Sequence, residues 1–184
     1  MKQSTRLLEG SRLYLRPLTN EDAEFYLSNM SNSQVRRLTG TKRIFSQSMI
    51  DQFIERVTAE SDNIHLLIVL KEKDRIIGDI ALLDVDYLNR SAHLRIAIFN
   101  EADCGQGYGT EAITLLLDYG FGILNLHRIE IGVYSYNARA IRAYEKIGFV
   151  QEGIQREALY YNHAYHNSIT MSILEHEFRQ NQRI

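Results

Sequence analysis

The chain has little that would divide it, cross-link it or anchor it. Its 184 residues contain one cysteine and one proline, and its formal net charge is only −2. A lone cysteine excludes an internal disulfide framework. No window approaches the roughly 20 continuous apolar residues of a membrane helix. The opening Met1-Lys2-Gln3-Ser4-Thr5-Arg6 lacks the apolar stretch of a secretion signal, so a cytoplasmic protein with no membrane contact is expected. A near-neutral balance gives no overall pull on polyanions, and nucleic-acid binding would need a local basic patch instead. Pro17 closes a strand-like run and marks no linker, and neither repeats nor low-complexity tracts appear. One domain over 1–184 follows. With 45% apolar and 24% charged residues, the chain can bury a sizeable core.

The apolar pattern predicts a first strand over 13–16, then a helix from Glu21-Asp22 through Phe25, Tyr26 and Met30. Thr19 or Asn20 would cap this helix, and the two carboxylates suit its positive end. A second helix is expected over 48–59, with a polar, irregular stretch between the two. Strands at 66–70 and 76–82 flank a charged turn, and a third follows at 92–99. A glycine loop leads into a helix over 110–124 with a broad apolar face, followed by a strand at 127–134. Asn137 caps a short helix to Ile147, and Gly148 sits where a left-handed residue is wanted. Strands at 149–159 and 165–174 end the reading. The order β-α-α-β-β-β-α-β-α-β-β predicts an α/β (α+β) fold: a mixed, largely antiparallel sheet flanked by helices.

The chemistry concentrates in Gly105-Gln106-Gly107-Tyr108-Gly109. Three alternating glycines between a strand and a helix let backbone N–H groups converge on an anion without Cβ atoms in the way. Phosphate or pyrophosphate is the natural guest, and a plain reversal would not need all three. A nucleotide-hydrolysing P-loop would require Gly-Lys-Ser/Thr, whereas Gly109 is followed by Thr110-Glu111. The dinucleotide fingerprint needs a further glycine where Thr110 stands; Glu130 lies near the ribose-binding distance, but too little chain follows for a doubly wound domain.

The run from Gly105 to Ala112, and Asn137-Ala138-Arg139-Ala140-Ile141-Arg142-Ala143-Tyr144-Glu145-Lys146-Ile147-Gly148-Phe149, resemble the GNAT N-acetyltransferase superfamily. Leu13-Tyr14-Leu15-Arg16-Pro17-Leu18 and Glu152-Gly153 extend the resemblance over nearly the whole chain. Within the superfamily it is most similar to the branch of ribosomal-protein N-terminal acetyltransferases and spermidine N-acetyltransferases. The resemblance implies acetyl-CoA as co-substrate and a primary amine, a peptide N-terminus or small amine, as acceptor. It implies that the backbone of Ile96, Ala97 and Ile98 pairs with the pantetheine arm. The loop from Cys104 through Gly105, Gln106, Gly107, Tyr108, Gly109 and Thr110 would hold pyrophosphate, and Asn137 and Tyr144 would flank the thioester. Relatives usually carry Gln, Arg or Trp where this chain has Cys104, which removes a side-chain contact but not the amides.

Tyr144 lies two helical turns after Asn137, so both can face one ligand. Its phenol, ordinarily near pKa 10, can protonate a departing thiolate; spacing alone favours a core tyrosine packed on the sheet, and the resemblance reverses that preference. His93 stands where relatives often carry a glutamate base, and imidazole suits proton transfer at neutral pH, although a water chain or a plain strand histidine fits the same position. Cys104 has neither base nor cation among its neighbours, which argues against an acetyl-cysteine intermediate. His163 and His166 lack the further ligands a metal needs, so no metal is expected. The basic run Arg36 to Arg43 reads as a solvated loop between the first two helices; if it lines the acceptor cleft, it repels a polycation. A non-catalytic CoA-binding or regulatory module of the same fold is the alternative function, and either a monomer or a homodimer is compatible with the sequence.

Overall fold

A computed structural model describes residues 5–59 and 63–181. Strands β1 (Leu8–Glu9), β2 (Leu13–Pro17), β3 (Ile64–Leu70), β4 (Arg75–Asp86), β5 (Ser91–Ile98), β6 (Arg128–Tyr134), β7 (Val150–Tyr161) and β8 (Ala164–Leu174) form a single sheet in the order β1-β2-β3-β4-β5-β6-β8-β7. Helices α1 (Ala23–Met30), α2 (Ser33–Thr39), α3 (Gln47–Ala59), α4 (Tyr108–Gly122), α5 (Ala138–Ile147) and α6 (Glu175–Asn181) flank it. Every neighbouring pair is antiparallel except β5–β6. The α/β arrangement expected from the sequence is the one observed.

Side chains alternate across the sheet, so one strand feeds two cores. On β5, Leu94 packs with Ile113, Leu116 and Leu117 of α4, while Ala97 joins Tyr26, Val35 and Ile54 of the first three helices. On α3, Ile50, Ile54 and Val57 repeat at helical spacing and are buried. Their burial contributes on the order of 5 kcal/mol, enough to hold a helix whose other face is polar.

Four elements depart from the sequence reading. The stretch expected to be irregular contains α2: Asn32 accepts hydrogen bonds from the Gln34 and Val35 amides, and Gly40 ends the helix with φ +66°. Arg36 and Arg37 therefore sit on a helix and not in a solvated loop. Glu21 and Asp22 form a 3-10 turn ahead of α1, because the Asp22 carboxylate is taken by Arg16 at 2.6 and 2.8 Å and by the Thr19 amide at 2.9 Å. Short β1 and terminal α6 were not foreseen; α6 buries only Phe178, against Phe121 at 5.5 Å.

The feature that positions the site is a parting of the sheet. β5 and β6 pair only from Ser91↔Arg128 to Leu94↔Ile131. Beyond that, Ala97 and Ile98 pair with β4 alone, and Gly132 to Tyr134 pair with β8 alone.

Candidate active site

A cavity of about 670 Å³ opens where the two strands part, lined by residues 93–98 of β5 and 131–134 of β6. The α4 N-terminus closes one end. Its capping residue, Gly107, has φ +81° and supplies no side-chain cap, and Gly105 has φ +75°. Such left-handed positions, alternating with ordinary ones, turn successive amides into a concave anion seat. The first helical amide to find an acceptor is that of Glu111, bonded to the Gly107 carbonyl at 3.0 Å. Amides before it have no partner within the helix. A Cβ built on Gly105 meets nothing within 4 Å, so the loop faces open space there.

Arg12 braces this loop from outside. Its guanidinium donates to the Gln106 carbonyl at 2.8 Å, lies 4.8 Å from the Tyr108 ring centroid, and is held by Glu111 at 2.8 Å. Burial works to raise the Glu111 carboxyl, but hydrogen bonds from Arg12 and Ser11 hold it below its usual value. No local signal could have linked Arg12 to a loop more than 90 residues away. The Gln106 carbonyl and the Tyr108 ring face this brace, and the two residues are not among those lining the cavity, which leaves their amides, the groups read as part of the anion seat, unassigned by these contacts.

The cavity does gather His93, Ile96, Ala97, Ile98, Cys104, Gly105, Gly107, Gly109, Thr110, Asn137 and Tyr144. Asn137 caps α5 through Oδ1, which accepts from the Ala140 amide at 3.2 Å. Tyr144 is buried beside Phe149, and desolvation pushes its phenol up to about 12. His93 is partly exposed, with Nδ1 3.6 Å from the Glu130 carboxylate, and that carboxylate accepts from Arg128 at 3.1 Å. Glu130 stands beside the imidazole beyond hydrogen-bond distance, a proximity set by the β5–β6 register. Burial raises the Cys104 thiol against the opposing pull of Arg139. A protonated thiol is a poor nucleophile. His166 packs edge-on to Tyr136 at 4.8 Å, and no group of three metal-ligating side chains gathers among the described residues.

Behind the cavity, Asp79 accepts from Tyr26 at 3.0 Å and from Arg95 at 2.9 Å, while its other oxygen has no partner. Arg95 also lines the cavity. Arg95→Ala leaves a buried carboxylate without its cation, and we expect a loss of about 3 kcal/mol. Urea denaturation checks this. An unchanged midpoint would mean that the Asp79–Arg95 pair contributes nothing to stability.

The glycine seat, the unpaired strand edge and the buried phenol suit a ligand that carries pyrophosphate at one end and an amide-bearing arm leading to a reactive group. A family model for the acetyltransferase (GNAT) domain matches residues 12–150. The chain belongs to the GNAT acetyltransferase family and is an acetyl-CoA-dependent N-acetyltransferase. It is 31% identical to the spermidine N(1)-acetyltransferase of Vibrio cholerae over 92% of this chain and 96% of that protein. It is 30% identical to a probable N-acetyltransferase, YjcK, of Bacillus subtilis over 95% of this chain and all of that one. A putative ribosomal N-acetyltransferase of Bacillus subtilis, YdaF, matches at 35% over 55% of each. Among solved structures, the Vibrio cholerae spermidine N-acetyltransferase in complex with CoA and spermine superimposes with a TM-score of 0.86 at 28% identity, covering 92% of this chain and 99% of that one. No helix among the described residues is long and apolar enough to cross a membrane.

Proposed function

We propose that residues 1–184 act as one cytoplasmic N-acetyltransferase domain in which an amine attacks the thioester of acetyl-CoA directly, with His93 as base and Tyr144 as acid. The observation that carries this reading is the parting of β5 and β6, because it brings both groups to one cavity that the glycine loop closes.

Acetyl-CoA supplies an activated acyl group and a thiolate leaving group. The chain's own part is to seat the donor and manage two protons. Amides from Gly105 to Thr110 take the pyrophosphate, and the free edge from Ile96 to Ile98 offers backbone groups to the arm. Arg139, Arg142 and Lys146, spaced to share a face of α5, add positive charge along the cavity wall. His93, with the Glu130 carboxylate beside it, accepts the amine proton, and Tyr144 gives its proton to the departing sulfur. A phenol pushed to about 12 would be a weak acid toward a solvated thiolate. A thiolate held against the same apolar wall as Tyr144 is desolvated as well, so both groups shift in the same direction.

His93→Ala tests the base. A lysine-like amine, with pKa near 10.4, is mostly protonated at neutral pH, whereas an α-amine, near 8, is less so. We expect activity to fall about a hundredfold at pH 7 with a high-pKa amine, less with an α-amine, and to recover in part as alkaline pH removes the proton unaided. Matching pH–rate profiles for variant and wild type would return His93 to a packing role and leave water as the proton carrier. CoA release from acetyl-CoA with a panel of amines separates this enzyme from a non-catalytic CoA-binding module, and sedimentation separates monomer from homodimer.

A further inference from the structure

We infer that the acceptor is a peptide α-amine followed by neutral or acidic residues, and that the acceptor wall of this chain disfavours polyamines. The inference rests on the amine-acetylation reading above and names the substrate class of that same site. It starts from a run of charge of one sign. Residues 25–50 carry Arg36, Arg37, Lys42 and Arg43 and contain no Asp or Glu. The structure brings this run to the edge of the cavity: α2 contributes Val35, Leu38 and Thr39 to the wall, and the four cations stand outside that lining.

Two sets of contacts hold this segment beside the cavity mouth. The Arg36 guanidinium donates to the carbonyls of Arg43 at 2.8 Å and Lys42 at 3.1 Å, folding the segment after α2 back onto the helix. Arg37 lies 5.4 Å from the Tyr136 ring centroid, and the Tyr136 hydroxyl donates to the Arg37 carbonyl. Tyr136 in turn stacks on Tyr134, a cavity residue, with centroids 5.7 Å apart. Gly40 completes the join: a Cβ there would stand 2.6 Å from the Tyr134 hydroxyl. Helix, rings and strand form one rigid rim with Arg37 on it.

The carboxylates around the cavity do not offset this charge. Asp103, which lines the wall, is bound twice by Arg75 at 2.7 and 2.8 Å. Asp79 carries Arg95, Glu101 carries Arg139, and Glu130 carries Arg128 beside His93. A polyamine passing this rim meets carboxylates that are already paired, and Arg37, which pairs with no carboxylate among the described residues. An α-amine trailing acidic residues meets a complementary field. The α-amine also asks less of the base, because its pKa lies near 8.

The test uses the full chain and four acceptors: peptides beginning Ser-Asp-Asp, Ser-Ala-Ala and Ser-Lys-Lys, and spermidine. We expect kcat/KM for the acidic peptide to exceed that for the basic peptide and for spermidine by tenfold or more at low salt. The gap should narrow at 0.5 M salt, as surface charges are screened within about a Debye length. The double variant Arg37→Glu, Arg43→Glu should lower the acidic-to-basic ratio at least tenfold, and a retained thermal shift with CoA shows that it is folded. The inference is overturned if spermidine or the basic peptide equals the acidic peptide, or if the double variant leaves the ratio unchanged. CoA release with none of the amines, while acetyl-CoA still binds, would overturn the catalytic reading itself and this inference with it.

Discussion

Tyr144→Phe should lower kcat about a hundredfold or more while leaving acetyl-CoA binding nearly intact, because the variant removes only the hydroxyl proton that a general acid provides. The ring remains, and with it the packing against Phe149 and the apolar core around it. Burial pushes the phenol up to about 12. The acid form therefore persists below that pH, and wild-type activity should show no loss from Tyr144 ionisation in the range up to pH 10. The measurement is single-turnover CoA release, where chemistry sets the rate, together with a thermal shift by CoA. Near-normal turnover with an intact shift would make Tyr144 a core residue and nothing more.

Gly105→Ala should abolish most of the stabilisation by acetyl-CoA while leaving the free protein folded. At a hundredfold excess over Kd, a ligand that binds only the native state stabilises it by about 2.7 kcal/mol. For a chain of this size that raises Tm by about 5 to 10 °C. The new methyl group meets no protein atom within 4 Å, so its cost to the free fold is the left-handed backbone at φ +75°, about 1 to 2 kcal/mol. Gly105 lines the cavity, so the added methyl group and the strained backbone disturb the loop at the proposed donor seat. Gly107→Val is the harsher variant, since its Cβ also crowds Arg12 at 3.3 Å and disturbs the brace on Gln106. A full ligand shift in Gly105→Ala would remove this loop from the donor site.

The glycine loop, α4 and α5 are legible in the sequence because their signals are local. Alternating glycines, Asn137 as a cap and Gly148 at φ +115° are each decided within a few residues. Helix α2 escapes notice because it is two turns long with only Val35 and Leu38 as apolar residues, and its start and stop, Asn32 and Gly40, look like loop residues without the sheet behind them. Terminal α6 has the same difficulty, with Phe178 as its one buried residue. The site is legible in its parts but not in its assembly. His93 was a strand histidine with an open role until the β5–β6 register set Glu130 beside it. Arg12 had no role at all before tertiary structure carried it to Gln106 and Glu111.

The four paired positions that join β5 to β6 also mean that the sheet is two half-sheets sewn by a short seam, β1 to β5 on one side and β6 to β8 on the other. Past the seam, each half keeps an unspent row of backbone donors and acceptors, which a buried sheet edge ordinarily cannot leave unmet. On the proposed function, a donor arm laid along that row would act as a borrowed strand, mending the tear while it is held and leaving it open again when the product departs. Recognition of the arm would then be written in main-chain atoms, which substitution of side chains scarcely alters. An acceptor wall built of side chains would let the choice of amine drift while one donor site is kept.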